Sequence, residues 1–468
     1  MMAAMTDKVD GRLDLQGKRV LVVGLGVHGG GLGVTRFLVE QGAQVTVTDL
    51  KTADQLAPSL DALRGLPVRF VLGEHRLQDL EGIDLIIRNP AVPAESPYLA
   101  AARAAGIPVE MEMGLFFRLC PAPIVGVTGT KGKTTTAILI GAILRQVDAA
   151  TVVAGNLRVS ALQLLPNIKT TTPVVLELSS WQLEGLEPHR LSPHVGVVTN
   201  ISPDHLNRYV SFEAYVQAKA TLLRWQRGND VAILNRDDQT VAGLVGEGQG
   251  RVMWFSRRQP VDGVFLDGRQ LVMNWRGRCV TICEYSDIRI VGLHNVENIL
   301  AGCAAALAWG APVDAIREGV RGFAGVEHRL EFVREVDGVR YYNDTAATAP
   351  AAAVAALQSL TGPIVLIAGG ADKNLDFADL GRAIASRAKA VVLLEGTATD
   401  KLVAAIKLAG GAQIAGRYDD IQRAVERARA LACEGDVVLL SPGCASFGLF
   451  ANEFERGEKY KQAVLSLS

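Results

Sequence analysis

The stretch Gly126–Thr136, "GVTGTKGKTTT", restricts what this chain can fold into more than any other feature. The apolar run Ala122-Pro-Ile-Val-Gly precedes it and the helix-like Ala137-Ile-Leu-Ile follows. A glycine turn between a buried strand and a helix, followed by a lysine and hydroxyls, clamps the phosphates of ATP or GTP with backbone N–H groups and a helix N-terminus. The usual spacing of such a loop would put its first glycine at position 127, where Val127 stands; Gly126 and Gly129 flank it instead. Lys133 and Thr134 keep the lysine–hydroxyl pair, the amine for β/γ oxygens and the hydroxyl for Mg²⁺. The γ-phosphate then goes to water, to a hydroxyl or to a carboxylate.

At 468 residues the chain exceeds a single core and predicts two to four domains. Basic and acidic residues nearly cancel, 48 against 49, so no overall field recruits nucleic acid or an anionic membrane. A polyanionic ligand must therefore be held by local groups. The start lacks an apolar signal core and no later run reaches membrane-span length, which predicts a cytoplasmic protein. Cys279 and Cys283 lack the second pair that a zinc site needs and read as ordinary core residues.

Strand–turn–helix alternation divides the chain into three segments. The first opens with Lys18-Arg-Val-Leu-Val-Val and "GLGVHGGGLG", continues through Gln44-Val-Thr-Val-Thr to Asp49, and adds strands at 83–87 and 107–109. Prolines near 119–124 interrupt the pattern before the phosphate loop. The middle segment offers strands at 151–153, 173–178, 194–199 and 231–234 and a helix at 295–309. The last begins near Gly325, with strands at 339–343, 363–368, 389–394 and 436–441. The fold class is thus α/β with doubly wound sheets.

Gly24-x-Gly26-x-x-Gly29 followed by Asp49 is compatible with a dinucleotide or with another diphosphate ligand. Glu177 closes a buried strand beside the phosphate loop, a place from which a carboxylate reaches Mg²⁺ or is simply a satisfied strand-end acid. His205 lies in the Pro/Asp-rich loop "NISPDHLNRY". With Ser211 as cap, the helix over 211–226 puts Phe212, Tyr215, Lys219, Leu222 and Leu223 on one face. A lysine in that stripe either snorkels to the rim or is a desolvated amine of lowered pKa. A neutral amine adds CO₂ to become a carbamate, an anionic oxygen ligand for Mg²⁺.

"TGTKGKTTT", "LELSSWQLE", "NISPDHLNRY", "YVQAKA", Gly292–Ala301, "EHRLE", "NDT" and "SPGCASF", in that order over residues 126–457, resemble the Mur ligase family. These are ATP-dependent amino-acid ligases of peptidoglycan precursor synthesis. The resemblance implies a Rossmann-like UDP-sugar domain at 1–112, a central P-loop-type ATPase domain at 113–325 and a C-terminal Rossmann-like amino-acid domain at 326–468. The Rossmann-like start, "GLGVHGG…TVTD" and "SPGCASFGLFANEFERG" resemble the member that joins D-glutamate to UDP-N-acetylmuramoyl-L-alanine. By the same resemblance Gly129, Thr130, Gly132, Lys133, Thr134 and Thr135 hold ATP, with Asn295, Asn298, Arg329 and Asp344 contacting the nucleotide. Thr134, Glu177, His205 and carbamylated Lys219 hold Mg²⁺, two ions in all. Val27, His28, Asp49, Lys51 and Asn89 fall at the UDP part, Asn156 near the muramoyl part, and Thr348, Lys373 and Ser446 at the glutamate carboxylates. The enzyme is expected to act as a monomer. Ala346 stands where these enzymes usually carry lysine, so L-glutamate or another amino acid stays open as substrate, as does a nucleotide-binding or redox protein without ligase activity.

The chemistry requires such parts. Carboxylate and ammonium do not condense in water, because the oxygen is a poor leaving group. Phosphorylation of the L-alanyl carboxylate gives an acyl phosphate, which the amine attacks to release phosphate. Both first reactants are anionic, so Lys133, the metal ions and Arg329 must screen their approach.

Overall fold

A computed structural model describes residues 14–27, 29–157, 160–204 and 208–467. His28 and His205 lie outside the described residues, as does Arg158. The fold is α/β with three domains, each built on its own sheet. Two compact units emerge: residues up to Asp287 with Val296–Arg321, and Ile288–Asn295 with Gly322 onward. The first contains two sheets that share one hydrophobic core, drawing on Val22, Phe37, Phe116, Leu162, Leu176 and Leu222. Among the described residues no helix is long and apolar enough to cross a membrane.

The first sheet has five parallel strands in the spatial order Val68–Leu72, Gln44–Asp49, Arg19–Val23, Leu85–Arg88 and Val109–Glu110. Val23 pairs with Thr48 on one side and Arg88 on the other. The first glycine loop, Asp49 and Asn89 therefore leave the same edge, as expected where a doubly wound sheet binds its ligand.

The second sheet has nine strands, and its centre explains the phosphate loop. Ile124–Thr128 is buried along its whole length between Val174–Glu177 and Val195–Val198, all parallel. Strands covered on both faces read as continuous apolar runs, which is why these were visible in the sequence. The register pairs Val127 with Glu177, and Glu177 with Gly155. Three neighbouring strands thus deliver Gly129, Glu177 and Asn156 to one rim. Farther out, Gly263–Asp267, Gln270–Trp275 and Arg278–Glu284 form an antiparallel meander. Cys283 is buried there, but Cys279 is exposed, against the reading of both as core residues. The first four residues of its strand are exposed, and Cys279 pairs with the exposed Asn274.

The second unit holds a six-stranded sheet in the order Glu331–Val336, Val339–Asn343, Val437–Leu440, Ile364–Gly369, Ala388–Leu394 and Gln413–Tyr418, antiparallel only at the first pair. Arg456, on the last helix Glu453–Leu465, is 0% exposed. Its guanidinium donates to Thr345 Oγ1 (2.9 Å), Thr345 O (2.9 Å) and Cys444 O (3.3 Å). Burial lowers its pKa to about 10. It fastens the turn after Val339–Asn343 to the loop after Val437–Leu440. Replacing Arg456 by Met strands these carbonyls and should lower the unfolding free energy of this unit by about 2–4 kcal/mol. Urea unfolding would read this as a lower midpoint at unchanged slope; an unaltered midpoint would contradict it.

Candidate active site

The phosphate loop makes its turn with glycines at positive φ, Gly129 at 149° and Gly132 at 84°. Neither tolerates a side chain: a Cβ would lie 2.0 Å from Thr199 Oγ1 at Gly129 and 2.1 Å from Asn298 Oδ1 at Gly132. The loop is pinned from the next strand's exit, since Thr130 N donates to Asn200 O (2.8 Å) and Asn200 Oδ1 accepts from Lys131 N (2.9 Å). Thr135 is buried in the first turn of the helix Lys133–Arg145, where Thr136 Oγ1 also meets Asn298 Oδ1 at 3.4 Å.

Two amines converge on one carbonyl. Lys133 Nζ donates to Gly129 O (3.0 Å) and Thr130 O (3.1 Å), and Lys219 Nζ donates to Gly129 O at 2.8 Å. Lys219 is 1% exposed, on the helix Phe212–Arg224 whose cap Ser211 accepts from Ala214 N. Its ammonium stacks over the Tyr215 ring at 4.6 Å. Burial, then the charge of Lys133, lowers its pKa to about 6. Lys219 is therefore a desolvated amine, and the snorkelling alternative is excluded.

Beside it, Thr134 Oγ1 donates to Glu177 Oε2 at 2.7 Å, and Asn156 Nδ2 donates to Glu177 Oε1 at 2.8 Å. Glu177 is 2% exposed. A hydroxyl and a carboxylate, hard oxygen donors next to phosphate-binding N–H groups, suit Mg²⁺. Thr134, Glu177 and Lys219 thus line one loop. Asn156, expected near the muramoyl part, orients the Glu177 carboxylate.

At the first sheet's rim, Asp49 accepts from Gly26 N (3.0 Å) and Lys51 N (2.9 Å), bracing the first glycine loop. Asn89 packs against Gly24, where a Cβ would lie 2.9 Å away, and accepts from Ala91 N. Val27 and Lys51 are exposed at this rim.

In the second unit, Lys373 Nζ donates to Thr348 Oγ1 at 3.2 Å. Ser446 follows Ala445, which exchanges hydrogen bonds with Ala371 (2.9 and 3.1 Å), so the segment of Ser446 runs beside that of Lys373. Asp344 is buried and accepts from Leu330 N (3.1 Å) and Ser441 Oγ (2.7 Å); burial raises its pKa to about 7, against the nearby charge of Arg329. Asn295 donates to Val291 O at 2.7 Å. Ser441 and Tyr215 carry contacts that the sequence reading did not assign. Tyr215 was legible in principle, four residues before Lys219 on the same helical face; Ser441 offered no signal beyond its motif.

Residues 18–110 match the MurD-like N-terminal domain of Mur ligases, 127–306 the Mur ligase middle domain, and 328–444 the glutamate ligase domain. The UDP-N-acetylmuramoylalanine--D-glutamate ligase of Roseiflexus sp. (strain RS-1) is 56% identical over 97% of this chain and 100% of its own. The enzyme of that name from Symbiobacterium thermophilum is 43% identical over 96% and 98%. Among solved structures, the UDP-N-acetylmuramate-alanine ligase MurC of Thermotoga maritima shares the fold, with a TM-score of 0.62 at 21% identity over 96% and 99% of the two chains. With three family domains in order and relatives matched along their full length, the chain belongs to the Mur ligase family, which uses ATP and Mg²⁺.

Proposed function

We propose that this chain is an ATP-dependent ligase joining D-glutamate to UDP-N-acetylmuramoyl-L-alanine through an acyl phosphate, acting as a cytoplasmic monomer in peptidoglycan precursor synthesis. The names of the 56% and 43% identical relatives support the substrates. The observation that carries the chemistry is the rim where Thr134, Glu177 and the buried Lys219 meet at the phosphate loop. The first sheet's glycine loop, with Val27, Asp49, Lys51 and Asn89, takes the UDP part, and the second unit's Thr348, Lys373 and Ser446 take the glutamate carboxylates. The boundaries 1–112, 113–325 and 326–468 separate these tasks.

Lys133 draws the γ-phosphate toward the L-alanyl carboxylate by offsetting the charge of both anions. The carboxylate oxygen attacks phosphorus and ADP leaves. The amine of D-glutamate then attacks the acyl carbon, and the C–O bond to phosphate breaks. Glu177, held by Asn156, with Thr134, His205 and Lys219 as its carbamate, would hold Mg²⁺, which supplies positive charge at the phosphoryl oxygens when bound. A pKa of about 6 leaves the Lys219 amine neutral at pH 7, the form that adds CO₂.

Phosphate release with D-Glu, L-Glu, D-Asp or glycine in parallel tests the activity: release requires UDP-N-acetylmuramoyl-L-alanine and is fastest with D-Glu. Binding without turnover, or preference for L-Glu, would contradict it. Lys373→Ala should raise the D-Glu KM about 10-fold or more, the loss of about 1.4 kcal/mol expected of a charge-assisted contact, at an unchanged ATP KM. Labelling with ¹³C-bicarbonate should give a protein carbamate resonance that Lys219→Arg lacks, with a kcat lower by about 10²–10³. A wild-type spectrum without that resonance would refute the carbamate.

A further inference from the structure

Glu112 opens the helix Glu112–Leu119 amid Met111, Met113, Leu115 and Phe116, all buried, and is itself 8% exposed. Its Oε1 accepts from Ser160 Oγ at 2.6 Å and Ala161 N at 3.0 Å, and the Leu162 amide also favours its anion. Its Oε2 faces the first turn of the helix Gly30–Glu40, where a Cβ at Gly30 would lie 3.9 Å away. One turn on, Gly33 lies so close to Ser160 that a Cβ would come within 2.1 Å of its Cβ. Among the described residues no cation pairs with Glu112. Burial pushes its pKa up to about 7, and only the hydroxyl and amide donors oppose that.

A buried carboxylate without a cation is costly to keep, and an apolar side chain of similar volume would pack the same space. What the carboxylate adds is direction. It joins three pieces: the helix behind the first glycine loop, its own helix, and the segment from Ser160. That segment starts four residues after Asn156, whose amide holds Glu177.

We propose that Glu112 is a positioning residue that fixes Ser160, Ala161 and Leu162 against the Gly30–Glu40 helix and so keeps Asn156 and Glu177 in register for phosphoryl transfer. The role in phosphoryl transfer rests on the function proposed above; the joint itself does not. A role in packing alone would lower stability without separating rate from affinity.

The test compares Glu112→Leu, Ser160→Ala and the double variant with the wild type in two measurements. In the first, kcat falls 10- to 100-fold in Glu112→Leu while the separately measured Kd values for ATP and for UDP-N-acetylmuramoyl-L-alanine stay within twofold. Ser160→Ala gives a smaller loss, and the double variant loses no more than Glu112→Leu. Parallel loss of both affinities, or losses that multiply, would overturn the proposal. In the second, ¹⁵N-Asn labelling, assigned with Asn156→Asp, follows the Asn156 side-chain amide, which needs no turnover. Its protons should exchange at least 10-fold faster in both single variants, and unchanged exchange would overturn the proposal. A wild type that fails to ligate while this exchange effect is seen would count against the function and not against the joint.

Discussion

One carbonyl, that of Gly129, receives the amines of both Lys133 and Lys219, and the packing around the phosphate loop makes that possible. An ammonium is costly to bury without a counter-ion. Lys219 sits 1% exposed, with a backbone oxygen and the Tyr215 ring as its described contacts, and a second lysine donating to the same oxygen. Such a site favours a neutral amine or one converted to an anion. Its place on the helix from Phe212 follows from an amphipathic stripe in which Tyr215, Leu222 and Leu223 are buried and Phe212 is half-buried. The same packing that stabilises the helix therefore desolvates the amine.

Register does the remaining work. Parallel strands deliver their carboxyl ends to one edge, so pairing Val127 with Glu177 and Glu177 with Gly155 brings a threonine, a glutamate and an asparagine from three separate stretches into one hydrogen-bonded chain. In the second unit the pairing of Asn343 with Leu440 likewise brings Asp344 to Ser441.

Much of this was legible in the sequence because central parallel strands are apolar throughout: the runs ending at Thr128, Glu177 and Val198 announced themselves, and Ser211 marked the helix start. The strands Val68–Leu72 and Gln413–Tyr418 did not, since both lie at sheet edges with most residues partly exposed. The strands Gly263–Asp267 and Gln270–Trp275 escaped for a related reason, the polar turns between them blurring the alternation. Individual roles were harder than elements. The hydrogen bond from Asn156 to Glu177 was not foreseen, and Glu112, within an apolar run, gave no outward sign of its partners. Both depend on contacts between residues distant along the chain (21 positions apart for Asn156 and 48 for Glu112), which local pattern does not encode.

The central claim is that the phosphoryl group activates a carboxylate, and oxygen tracing tests it most directly. UDP-N-acetylmuramoyl-L-alanine carrying ¹⁸O in its alanyl carboxylate is converted with ATP and D-glutamate, and the released phosphate is analysed by mass. An acyl phosphate requires one carboxylate oxygen to leave with phosphorus, so each phosphate should carry one ¹⁸O from doubly labelled acceptor. Phosphate free of the label, alongside amide product, would contradict the account.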